Sequence, residues 1–100
     1  MRLYLVSDSP DAVAGLRLAG VEGTLVPDAA AARETVLRLS RDPEIGVVLI
    51  TRGLLRALGG FPTQFRAAHL LPVLVETPDT GGQPPVGTVA DYVRDAIGIG

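Results

Sequence analysis

Apolar positions along this chain keep two rhythms, and the alternation between them predicts the elements. "LYLVS" (3–7) is a short apolar run, the pattern of a buried strand. In "SDSPDA" Ser9 or Asp8 caps a helix, with Pro10 at its first position and Asp11 in its first turn. Val13, Leu16 and Ala19 or Gly20 continue the helical spacing, and Gly20 is its stop. "GTLVP" (23–27) is a second, short strand. Asp28 caps a helix that runs to about Arg41. Its inner stripe is Ala29, Ala32, Val36 and Leu39, while Arg33, Glu34, Arg38 and Arg41 face water. Pro43 closes it. "IGVVLIT" (45–51) is the strongest strand pattern, nearly continuous in apolar residues, as a central strand covered on both faces requires.

Residues 53–69 predict a short helix, a break at Gly59-Gly60 and Pro62, and a second helix over "TQFRAAHL". "PVLVE" (72–76) is a fourth strand. "TPDTGGQPPVG" (77–87) is rich in Pro and Gly and reads as a long loop or linker. From about Thr88 to Ile97 the helical period returns. Val89, Tyr92, Val93, Ala96 and Ile97 stand at i, i+3, i+4, i+7 and i+8, one apolar stripe.

Strands alternating with helices make a parallel sheet covered by helices. The expected fold is α/β: an open flavodoxin-like sheet of four strands in the order 2-1-3-4. Composition places a boundary near Pro78. Residues 1–78 form the α/β domain and 79–100 a linker with a C-terminal helix, the two expected to make one folding unit. The linker gives that helix two options: packing on its own sheet or docking elsewhere.

Composition narrows the chemistry. Hydrophobic residues make up 47% and charged residues 20%, a globular balance. No apolar run approaches the about 18 residues needed to span a bilayer. "MRLYLVSD" lacks the long apolar region and cleavage site of a signal peptide, so a cytoplasmic start, already a strand, is expected. Without Cys there are no disulfides, thiolate nucleophiles or zinc-thiolate sites. Lys is also missing, which removes Schiff-base chemistry and the Lys of a phosphate-binding loop. The formal net charge of −2 gives a nucleic-acid backbone no attraction.

Open α/β sheets bind ligands at the carboxyl ends of their strands. The loops there are Ser7-Asp8-Ser9, Thr51-Arg52-Gly53 and Glu76-Thr77. A phospho-receiver needs clustered carboxylates after the first strand, an Asp ending the third, and a Lys. Asp8 and Asp11 are all the first loop offers, and Thr51-Arg52 ends the third strand. A dinucleotide site needs G-x-G-x-x-G where this chain has "SDSPDA". His69 reads as a helix-terminal His favoured by the dipole, and Glu76 as a structural cap or a partner for an Arg. As a general acid–base pair the two would have to lie within about 3 Å, or one water, of each other. A strand of about 17 Å should separate them. No catalytic, cofactor-binding or metal-ligating residue is expected.

"GLRLAGV" (15–21), "IGVVLIT" (45–51), "PVLVETP" (72–78) and "VRDAIG" (93–98), in that order and spacing, resemble the F subunit of the V-type and A-type rotary ATPases. The absence of Lys would suit a bacterial member from a GC-rich source. The resemblance implies a non-catalytic component of the central stalk, cytoplasmic and peripheral to the membrane through the complex. It implies binding to the coiled-coil shaft, the D subunit of these complexes, with other stalk components and the catalytic hexamer nearby. It also implies a part in coupling ATP synthesis or hydrolysis to ion transport, with ATPase rate modulated through a mobile C-terminal segment. The partner-binding candidates are Arg17 and Leu18, which point away from core positions Leu16 and Ala19, and the stripe Val89, Tyr92, Val93, Ala96 and Ile97. The competing reading is a degenerate receiver-like regulatory domain.

Overall fold

The computed structural model describes residues 1–78. Along them run β1 (Arg2–Ser7), α1 (Pro10–Leu18), β2 (Glu22–Leu25), α2 (Ala29–Leu39), β3 (Ile45–Thr51), α3 (Arg52–Ala57), α4 (Phe61–Ala68) and β4 (Val73–Thr77). The four strands form one all-parallel sheet in the order β2-β1-β3-β4, the order expected of a flavodoxin-like sheet. The expected C-terminal helix lies outside the described residues.

Right-handed crossovers fix which face each helix covers. The chain steps from β1 to β2 in one direction, then returns past β1 to β3 and on to β4. α1 therefore lies on one face and α2, α3 and α4 on the other. Side chains agree. Val6, Val48, Ile50 and Leu74 pack with Ala32 and Val36 of α2, Leu54 of α3 and Phe65 of α4. Leu5, Val47, Leu49 and Val75 pack with Val13 of α1, joined by Leu3, Ala12, Leu16 and Val73. β3 is buried at every position, which is why its sequence is apolar throughout rather than alternating. Each large side chain fully buried there stabilises the fold by about 1.5–3 kcal/mol.

One irregularity has a local cause. Arg2 pairs with Ile45 but Leu3 with Val47, so Gly46 is an extra residue on β3, a bulge. Ile45 thereby joins the same core as Val48 instead of facing away from it. A Cβ at Gly46 would collide with the Met1 side chain, which lies across it.

Several boundaries move from the expected ones. β2 spans Glu22–Leu25 rather than 23–27, because Pro27 has no N–H to pair and Asp28 already caps α2. α2 ends at Leu39, not Arg41; a tighter turn follows, with the N–H groups of Arg41 and Asp42 donating to the carbonyls of Arg38 and Leu39. α4 starts at Phe61, two residues before the expected Thr63, since Pro62 sits in its first turn instead of interrupting it. β4 is Val73–Thr77, shifted by one from 72–76; Pro72 follows a cis Leu71–Pro72 bond and cannot donate to the ladder.

Candidate functional site

β1 and β3 are neighbours whose chains leave to opposite faces, so their carboxyl ends form the switch-point crevice where this class of fold places ligands. Ser7 ends β1 fully buried, and its Oγ accepts the Ser9 N–H at 3.0 Å. Ser9 caps α1 by accepting the Ala12 N–H at 3.3 Å. The hydroxyls of this loop therefore hold its own backbone. Thr51 ends β3, and its Oγ1 is buried without a hydrogen-bond partner. Asp8 is exposed. Among the described residues no three His, Cys, Asp or Glu side chains group as metal ligands.

The acid–base candidates have separate engagements. Glu76 Oε2 lies 3.5 Å from Arg52 Nε, the second of the two structural readings given for it. His69 caps α4, its ring stacked on Phe65 at 4.2 Å between centroids. Its Nδ1 is 3.2 Å from the Phe65 carbonyl, an acceptor, so Nδ1 carries the proton. The first ties α3 to β4 and the second stays within the end of α4, and neither presents a nucleophile and base together.

The first partner candidates sit at the other end of the sheet. Gly20 has φ +89°. The Gly20 N–H donates to the Arg17 carbonyl at 2.9 Å and the Val21 N–H to the Leu16 carbonyl at 2.8 Å, the paired bonds of a Schellman stop. That turn explains "GLRLAGV". Leu16 packs inward as expected, whereas Ala19, expected in the core, is the half-buried C-cap. Arg17 and Leu18 are left at the helix end, Leu18 almost fully exposed. Val89, Tyr92, Val93, Ala96 and Ile97 lie outside the described residues. At this same end of the sheet Arg2 forks between two acids: Nη2 reaches Glu22 Oε2 at 2.9 Å and Nη1 reaches Glu44 Oε2 at 3.3 Å. Glu22 holds the guanidinium above its ordinary pKa.

Leu70 and Leu71 belong with these exposed groups, and sequence reasoning passed over them. The sequence carries the second helix through Leu70, whereas α4 ends at Ala68 with His69 as its cap. The signal was Pro72, which precedes a strand and leaves the two residues before it in a turn. Among the described residues no helix is long and apolar enough to cross a membrane. Over residues 3–97, nearly the whole chain, the sequence matches the family described as ATP synthase (F/14-kDa) subunit. No individual curated protein matches the chain.

Proposed function

The chain belongs to the ATP synthase (F/14-kDa) subunit family, a component of the V/A-type rotary ATPases, and on that premise we propose that it is a non-catalytic rotor component that binds the coiled-coil shaft. The observation that carries this reading is the family match across residues 3–97. The crevice supports it as well. The Ser7 and Ser9 hydroxyls hold their own loop, Glu76 is paired with Arg52, and Thr51 stands where a receiver needs its acceptor Asp. A rotor component carries torque, so it needs a rigid domain and a sizeable interface. A sheet buried on both faces, with β3 at its centre, supplies the rigidity.

The C-terminal segment supplies regulation in this reading. Val47, Leu49 and Val75 line the α1 face, yet α1 leans mainly on β1 and β2. The β3–β4 half of that face suits the stripe Val89, Tyr92, Val93, Ala96 and Ile97. Released from it, the same stripe would lie along the shaft. Deleting residues 79–100 is expected to leave the parallel sheet folded by circular dichroism and to change the ATPase rate of the reconstituted complex. Unfolding of the truncated chain would make the segment part of the core and end the switch.

A further inference from the structure

An open sheet has two edge strands, and each turns a row of N–H and carbonyl groups outward with no strand to meet them. Here the edges are β2 and β4, and they are unequal. β2 reads "EGTL", a short strand containing an acid and a glycine, both poor strand formers. Its flanks are closed as well: the Val21 N–H donates to the Leu16 carbonyl, and Pro27 has no N–H. β4 reads "VLVET", longer and led by Val73, Leu74 and Val75. An apolar, β-branched run is the kind that adds a strand from another chain. The fold leaves it at the rim, with β3 as its one strand neighbour among the described residues.

Two features close that rim. Alternate residues of a parallel strand turn their backbone groups to opposite sides. Arg66, in the last turn of α4, donates from Nη2 to the Leu74 carbonyl at 3.0 Å. A helix side chain can reach that carbonyl because it faces away from β3. Leu74 therefore belongs to the outward set, with Pro72 before it and Glu76 after it. Pro72 has no N–H to offer. Arg66 thus takes the middle acceptor of the outward row, and Pro72 removes its first donor. The short link 69–72 holds the last turn of α4 beside the strand it caps. Arg66 is exposed, outside the buried core, and its charge stands on the rim itself.

We propose that Arg66 guards the β4 edge and keeps the chain single by denying a second copy of this chain the Leu74 carbonyl. The excluded occupant is β4 of the other copy, because an identical strand matches its length and both its open groups. In a two-fold pairing centred on Val75, Leu74 of one copy lies opposite Glu76 of the other, and the two exchange N–H···O bonds. The Leu74 carbonyl is one of the acceptors that this exchange requires. The pairing would also bring two Arg66 charges together. The guard acts on the free chain and is independent of the rotor function.

The test is the mass of full-length variants by light scattering over a range of concentrations, with amide exchange as the local readout. Arg66→Ala should at least double the average mass where the unsubstituted chain is a monomer, and should slow exchange of the Leu74 and Glu76 amides. Arg38→Ala removes the same charge from α2, which packs against β1 and α3, and should stay monomeric. Adding Glu76→Pro to Arg66→Ala removes an outward N–H and spares the ladder to β3, so the mass should return to that of one chain. A monomeric Arg66→Ala chain overturns the proposal, as does equal association by Arg38→Ala. Association that persists with Glu76→Pro, or that leaves the Leu74 and Glu76 amides exchanging as before, overturns it too. So does an unsubstituted chain that is already a dimer, or one whose Leu74 and Glu76 amides are protected as a monomer.

Discussion

At the scale of single residues, two glycines with equal space around them are expected to behave differently. Nothing lies within 4 Å of a Cβ built on Gly20 or on Gly60. Gly20 sits at φ +89° and Gly60 at −79°. Gly20→Ala should lower stability by about 1 kcal/mol, the cost of a left-handed L-residue. Gly60→Ala should be neutral or stabilise by about 0.5 kcal/mol through the unfolded chain. Urea unfolding of the two variants checks the contrast. Thr51 gives a second expectation. Its buried hydroxyl has no partner, so Thr51→Val should raise stability by about 1 kcal/mol. A loss would show that the hydroxyl makes a stabilising hydrogen bond. The Gly20 stop was legible in the sequence because a glycine after a helical stripe has few other uses. The Thr51 orphan was not, since hydrogen bonding depends on neighbours brought in by the fold. Leu70 and Leu71 went unassigned for the same reason: apolar character alone does not separate a buried leucine from an exposed one.

Among the elements, β3 was legible residue for residue. A strand covered on both faces must be apolar at successive positions, and "IGVVLIT" has no competing reading. β2 and α4 were legible in kind but not in extent, because Pro27 and Pro62 act through an N–H that one strand lacks and one helix start does not need. The same burial predicts dynamics. Amides of Val47, Val48, Leu49 and Ile50 should exchange slowest, near the free energy of global unfolding. Those of β2, a four-residue edge strand, should exchange much faster. Native-state hydrogen exchange measures this directly, and equal protection in β2 and β3 would contradict the layered account of the core. Faster exchange in β3 after removal of residues 79–100 would localise what that segment shields.

For the whole molecule, strand–helix alternation pointed to a parallel sheet covered by helices, and the flavodoxin-like arrangement supplied the 2-1-3-4 order that the sheet has. The family was legible only through blocks spread along the chain, and the match over residues 3–97 bears it out. No block names a contact residue, because a docking face is assembled from loops far apart in sequence. The central claim is that this chain works by being held on a shaft. The most direct test is to mix it with the purified coiled-coil shaft protein of the same complex and weigh the product by light scattering. The account predicts a stable one-to-one complex at micromolar concentrations. Two separate species at those concentrations would contradict it.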